Sequence, residues 1–179
     1  MSRARANPDR LADVPRVRLR LATTADAPAI AALRTAVAQH LTSTFGKGPW
    51  SSANSERGVL WHMRISRVFV ARGSKGPIAS LTLGTRKPWA IDRTYFTPCT
   101  RPIYLTSMAV VPALQRQGIG RACLVDAARI AREWPGDAIR LDAFDDDAGA
   151  GEFYRRCGYR EVGRASYRGV PLIYFELTL

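Results

Sequence analysis

The stretch Met108 to Arg121 reads Met-Ala-Val-Val-Pro-Ala-Leu-Gln-Arg-Gln-Gly-Ile-Gly-Arg, and it constrains the fold more than any other part of the chain. An apolar strand runs into a glycine-bearing turn and from there straight into a helix. A helix begins with backbone N–H groups that have no partner inside it, at the positive end of its dipole. Two glycines at that point let an anion come close without meeting a Cβ. The joint is built to hold phosphate. Its spacing disfavours two common versions: Cys123 stands where a dinucleotide-type Gly-x-Gly-x-x-Gly needs its third glycine, and no Gly-Lys-Ser/Thr follows, as a nucleotide P-loop requires.

Strand and helix signals surround this joint along the whole chain. Val17, Leu19 and Leu21 alternate with Arg16, Arg18 and Arg20, which predicts a half-buried strand over 16–21. Thr23-x-x-Asp26 reads as a capping box, and Ile30, Leu33, Val37 and Leu41 carry the stripe of a helix from about 24 to 41. Residues 42–62, with Phe45, Trp50 and Trp61 among glycines and serines, read as a loop or lid with room for a short helix near its end. Arg67 to Ala71 and Ile78 to Gly84 form a hairpin across Gly73–Pro77. A second irregular stretch, Thr85 to Arg101, holds Trp89, Asp92, Tyr95 and Phe96. Aromatics on such loops serve either as ligand walls or as packing beneath the loop.

Ile103 to Val111 reads as a strand buried on both faces. The helix after the turn sets Ile119, Cys123, Ala127, Ile130 and Trp134 on one side and stops at Pro135-Gly136. Ile139, Leu141 and Ala143 make the next strand. Asp145-Asp146-Asp147 reads as the N-cap of a short helix that runs to about Cys157, and Arg160 to Ala165 with Leu172 to Leu177 close the chain as a hairpin.

A chain of 179 residues suits one domain, here 16–179 behind a flexible basic N-terminus at 1–15. No apolar run is long enough for a bilayer and the first residues lack the core of a signal peptide, so a cytoplasmic protein without membrane contact is expected. Cys99, Cys123 and Cys157 are odd in number and include no Cys-x-x-Cys, which points to neither a disulfide framework nor a metal site. The net charge of +12 is almost all arginine, scattered along the chain, with Lys47, Lys75 and Lys87 the only lysines. Nucleic acid is disfavoured as a partner on this reading, since no helix-turn-helix, zinc pattern or strand aromatics accompany the charge. The positive field steers a polyanion inward all the same.

Gln115-x-x-Gly118-x-Gly120 after Met-Ala-Val-x-Pro resembles the coenzyme A pyrophosphate motif of the Gcn5-related N-acetyltransferase (GNAT) superfamily. The order of elements agrees from Arg16 to Leu179. A second signature lies in Asp147 to Tyr159, which is similar to the family's Asn-x-x-Ala-x-x-x-Tyr-x-x-x-Gly-Phe, with Asp147 for the usual Asn and Tyr159 for the final Phe. The resemblance implies an α/β (α+β) domain whose mixed sheet of about six to seven strands is flanked by helices, with one splayed strand pair. Acetyl-coenzyme A is the implied cosubstrate. Its pantetheine arm would pair with the backbone of Met108 and Val110, as an added strand does. Its pyrophosphate would lie on the segment Gln115, Arg116, Gln117, Gly118, Gly120 and Arg121, held by the N–H groups of Arg116, Gly118, Gly120 and Arg121.

Tyr154 falls on the family's catalytic tyrosine. When an amine attacks a thioester a thiolate leaves, and a phenol near the sulfur can protonate it. The Met108 N–H is the expected oxyanion donor, because a fixed backbone dipole meets developing charge without reorganising. The arm-contacting role of Asp147 is open, since a carboxylate caps a helix and repels anions. Thr106 and Ser107 offer no carboxylate base, which leaves Glu56, Asp92, His62 or a water chain. His40 and His62 lack an orienting partner in sequence and read as surface or structural residues. Glu56, Trp89 and Asp92 on the two irregular segments are the expected acceptor residues. The function expected is N-acetyl transfer to an amine in a ternary complex, by a monomer or homodimer; the alternative is a non-catalytic acyl-coenzyme A binding or regulatory module.

Overall fold

Among the described residues seven segments pair into a single sheet: β1 (Arg20–Leu21), β2 (Arg67–Gly73), β3 (Gly76–Gly84), β4 (Pro102–Val110), β5 (Ala138–Phe144), β6 (Arg160–Tyr167) and β7 (Val170–Thr178). The computed structural model describes residues 17–179, so the N-terminal stretch 1–15 and Arg16 lie outside the described residues. Across the sheet the order is β1-β2-β3-β4-β5-β7-β6. The β4–β5 pair is parallel and every other neighbouring pair antiparallel. Among these residues four α-helices flank it: α1 (Ala27–Phe45), α2 (Glu56–Ile65), α3 (Ile119–Glu133) and α4 (Gly151–Arg156). Among the described residues no helix is long and apolar enough to cross a membrane.

Alternation along the strands sorts the core into two faces. Phe69 and Ala71 of β2 join Leu81, Leu83, Ile139, Leu141 and Phe175 under the Ile119, Cys123, Leu124 and Ala127 stripe of α3. Val68 and Val70 point the other way, against Ile30 and Ala31 of α1 and Val59 of α2. Each fully buried Ile, Leu or Val contributes about 1.5–3 kcal/mol relative to exposure, so the two-sided pattern fixes both register and layers. Cys123 is part of this core, and burial pushes its thiol up to about 11.

The structure refines the sequence reading at several points. The first strand shrinks to two residues because the Leu19 N–H donates to the buried Asp126 carboxylate of α3 at 2.8 Å. Leu21 on this edge strand is 59% exposed instead of sharing the buried side with Leu19. α1 continues to Phe45, ending at Gly46 with φ 82°. The short helix for which the 42–62 segment left room near its end is α2, which runs on to Ile65, started by Ser55, whose hydroxyl accepts from the Gly58 N–H, and anchored by Val59. Asp145, Asp146 and Asp147 cap no helix: α4 starts at Gly151 after Ala150, and the Asp146 side chain accepts from the Ala148 N–H in a turn of its own. β4 is not buried throughout, since Thr106 to Met108 open onto a cleft before Ala109 is buried again.

The Tyr159 hydroxyl is buried without a hydrogen-bond partner among the described residues. Leaving such a group dry costs about 1–3 kcal/mol. Tyr159→Phe should therefore raise the unfolding free energy in urea by about 1 kcal/mol. A loss of stability would mean that the hydroxyl has a partner in solution.

Candidate active site

The site begins where two strands part. β4 and β5 pair only through Pro102–Ala138, Ile103–Ile139 and Tyr104–Arg140, and then the ladder stops. On the other side of β4 the register with β3 shifts: Ser80 faces Ala109 and Thr82 faces Thr106, so Leu81 lies opposite both Ser107 and Met108. This is a β-bulge, and Ser107 sits in it with φ 52°. An extra residue bends the strand that carries it and re-aims the backbone groups that follow. A non-glycine residue in that left-handed region is strained, which marks the position as built for a purpose.

Beyond the bulge the chain makes the phosphate turn. The Val111 N–H donates to the Ile78 carbonyl at 2.9 Å, so ladder alternation turns the polar backbone groups of Val110 toward the split. The Gln115 side chain donates to the Val110 carbonyl at 3.1 Å and Gln117 to the Ala113 carbonyl at 3.1 Å. Both glutamines thereby clamp the turn onto itself. The two glycines have different reasons. Gly118 is the N-cap of α3 with φ 80°, a conformation that side chains rarely adopt. Gly120 is needed for space: a Cβ there would lie 3.1 Å from the Phe153 ring and 3.6 Å from the Met108 methyl. The first helical bond of α3 runs from the Ala122 N–H to Gly118, leaving the N–H groups of its first turn free beside the split.

At the mouth of the split, the buried Tyr154 of α4 donates its hydroxyl to Met108 Sδ at 3.9 Å. Its ring is wedged among Phe153, Tyr159 and Phe175, with centroids 5.2, 5.7 and 5.7 Å away. Burial first, and then the nearby Asp142 charge, push the phenol well above its ordinary range, so it stays protonated. A cleft of about 490 Å³ opens between α1, the Trp50 segment and the parted strands, and Tyr154 lines it.

A model of the acetyltransferase (GNAT) family matches residues 35–159. The chain belongs to that family. Its members use acetyl-coenzyme A, and the sheet with its flanking helices is the GNAT fold. The chain is similar to yncA of Salmonella typhimurium, solved with its cofactor acetyl-CoA (16% identity, 91% of this chain and 94% of that one, TM-score 0.65). It is also similar to a GNAT-family acetyltransferase from Listeria monocytogenes (19% identity, 90% and 95% covered, TM-score 0.68). A third likeness is to a ribosomal-protein-alanine N-acetyltransferase from Brucella melitensis (20% identity, 90% and 99% covered, TM-score 0.66). No curated protein matches the sequence.

Within this GNAT domain the sequence-chosen residues fall into two groups. Met108, Val110, Gln115, Gly118, Gly120 and Tyr154 converge on the split and the turn beside it, with Arg116, Gln117 and Arg121 exposed on the turn and the first turn of α3. Asp147 is exposed and lines a separate depression with Asp145, Asp146 and Glu152. Glu56, Trp89 and Asp92 are not among the residues lining the cleft. Glu56 opens α2 in solvent, Trp89 is 81% exposed, and Asp92 is occupied in capping the Arg93–Tyr95 turn through Thr94. Of the two readings of the 85–101 segment the structure shows packing: Ile91 and Phe96 are buried against Tyr104 and Tyr174, whose hydroxyl donates to the Ala90 carbonyl.

Two charged residues that the sequence reading passed over stand in the cleft instead. Asp142 of β5 is half-buried, and loss of solvent raises its carboxyl above the usual carboxylate range. The signal was a carboxylate on the face of β5 opposite to Ile139, Leu141 and Ala143. Arg34 of α1 is 5% exposed and donates to the hydroxyls of Ser80 and Thr82, both at 3.2 Å. It interrupts the apolar face of a helix, which is a signal that one sequence alone can carry.

Proposed function

We propose that this chain is an N-acetyltransferase that passes the acetyl group of acetyl-coenzyme A directly to an amine seated in the cleft. The observation that carries the reading is the contact of the Tyr154 phenol with Met108 at the point where bulge, parted strands and the α3 N-terminus meet. Acetyl-coenzyme A supplies an activated thioester. The open edge of β4 at Met108 and Val110 offers backbone groups to an amide-bearing arm. The N–H groups of Arg116, Gly118, Gly120 and Arg121 hold the pyrophosphate, with the Arg116 and Arg121 guanidinium groups at hand on the surface. A Cβ at Gly120 would crowd the place where that turn meets the split, so the residues present suit this ligand.

Three groups then do the proton and charge work. The Met108 N–H, fixed by the bulge, stabilises the developing oxyanion. Asp142 takes a proton from the amine, and its raised affinity for protons makes it a better base than an ordinary carboxylate. Tyr154, kept protonated by burial, returns a proton to the leaving sulfur. A cytoplasmic setting suits the three free cysteines.

Calorimetric titration with acetyl-coenzyme A tests the cradle. Wild type should bind, and Gly118→Val should bind about 10- to 100-fold more weakly, because a branched side chain cannot hold the φ of 80° that aims the turn's N–H groups. Equal affinity in a folded variant would remove the pyrophosphate from this turn.

A further inference from the structure

Arg34 is the feature of the cleft that acetyl transfer alone leaves unexplained. Its side chain lies inside the protein, 5% exposed, and it lines the same cleft as Asp142 and Tyr154. Its two hydrogen-bond partners, Ser80 Oγ and Thr82 Oγ1, are neutral hydroxyls. Among the described residues it forms no ion pair, although Asp26, Asp126 and Glu176, also buried, each pair with one or more arginines. Desolvation lowers its affinity for protons to about 10, the mark of a cation held without a counter-charge. The neighbouring charge is no help: burial and then Arg34 itself hold the His62 imidazole below its usual range. A buried cation left unpaired is costly, and the cost is recovered only when an anion arrives to match its planar fork.

The position of this cation is as specific as its isolation. Ser80 and Thr82 flank Leu81, the residue opposite the β4 bulge at Ser107 and Met108. They therefore hold the guanidinium one strand away from the proposed oxyanion donor. Asp142 comes to the cleft from β5, on the other side of β4, and makes no ion pair with Arg34. One cleft thus carries a cation and a carboxylate that do not satisfy each other.

We infer that the acceptor of this enzyme is a small amine that also bears a carboxylate, with its carboxylate on Arg34 and its amine beside Asp142. The inference rests on the acetyltransferase reading above and names the chemistry of the acceptor within it. A cleft of about 490 Å³ leaves room for a molecule of amino-acid size beside the thioester end of the cosubstrate. Reaction is balanced by that reading: the amine nitrogen forms the amide bond, the thioester bond breaks, the amine proton goes to Asp142, and the thiolate is protonated from Tyr154.

The test compares matched pairs with wild-type protein and acetyl-coenzyme A: free α-amino acids against their carboxamides, and γ-aminobutyrate against its amide. The acids should be acetylated with kcat/KM about 10- to 100-fold above the amides, as a charge-assisted bidentate contact implies. In Arg34→Gln the KM for the acids should rise to that of the amides, so that the acid-over-amide ratio of kcat/KM collapses to about one, while acetyl-coenzyme A affinity stays within about twofold of wild type. A purely structural arginine tying α1 to β3 would instead slow both members of each pair alike. Arg34→Lys keeps the charge without the fork and should fall between, which guards against a glutamine variant that fails to fold. Amides used as well as or better than acids by the wild type overturn the inference and leave the acetyltransferase reading standing. No acetylation of any amine, with acetyl-coenzyme A bound, overturns that reading itself.

Discussion

Replacing Tyr154 with phenylalanine should lower acetyl transfer by about 100-fold or more while acetyl-coenzyme A binds within about twofold of wild type. The change removes one oxygen, whose hydrogen bond among the described residues is to Met108 Sδ. The ring keeps its packing among Phe153, Tyr159 and Phe175, so the fold should persist. What disappears is the proton for the departing sulfur. A factor of about 100 corresponds to about 2.7 kcal/mol of barrier, within the range of a general acid. Steady-state turnover beside calorimetric affinity checks it, and unchanged turnover would return Tyr154 to packing alone.

Asp142→Asn should be at least as damaging, again by about 100-fold or more in kcat/KM for the amine, with acetyl-coenzyme A affinity unaffected. The pH profile gives the sharper readout. A base works in its deprotonated form, so the rate falls as pH drops through its pKa, and burial raises that value for Asp142. The acid limb of the wild-type profile should accordingly lie higher than an ordinary carboxylate would place it, and Asp142→Asn should abolish the limb along with the rate. A variant that keeps both would assign proton removal to water or to another group.

The two halves of this account were unequally legible in the sequence. The cradle could be read directly because its chemistry is local: a strand, two glycines and a helix start within a few residues specify an anion site before any tertiary contact is known. The placement of Tyr154 beside Met108 was legible for a similar reason, each lying in a short stretch that resembles a family signature. The cleft proposed for the acceptor was not, because it is assembled from α1, β5 and the Trp50 segment, which meet only in the fold. Asp142 is hidden in a strand whose apolar residues attract the eye, although alternation puts it on the opposite face. Glu56, Trp89 and Asp92 were drawn in because irregular segments look like binding loops. In the fold the 85–101 segment is packed onto the sheet by Ile91 and Phe96, and Glu56 begins a helix whose buried residue is Val59. The acidic triplet at 145–147 shows a related ambiguity. Aspartates favour helix caps and turns alike, and only the Asp146–Ala148 contact decides between them.

The most direct measurement of the central claim is a stoichiometric one: acetyl-coenzyme A is mixed with a panel of amines and the protein, and free thiol and N-acetylated amine are both counted by mass spectrometry while the protein is checked for added acetyl. Direct transfer at this cleft predicts one thiol for each acetylated amine and an unmodified protein throughout. Bound acetyl-coenzyme A with no acetylated amine, or an acetyl group resident on the protein before the amine is added, would contradict it.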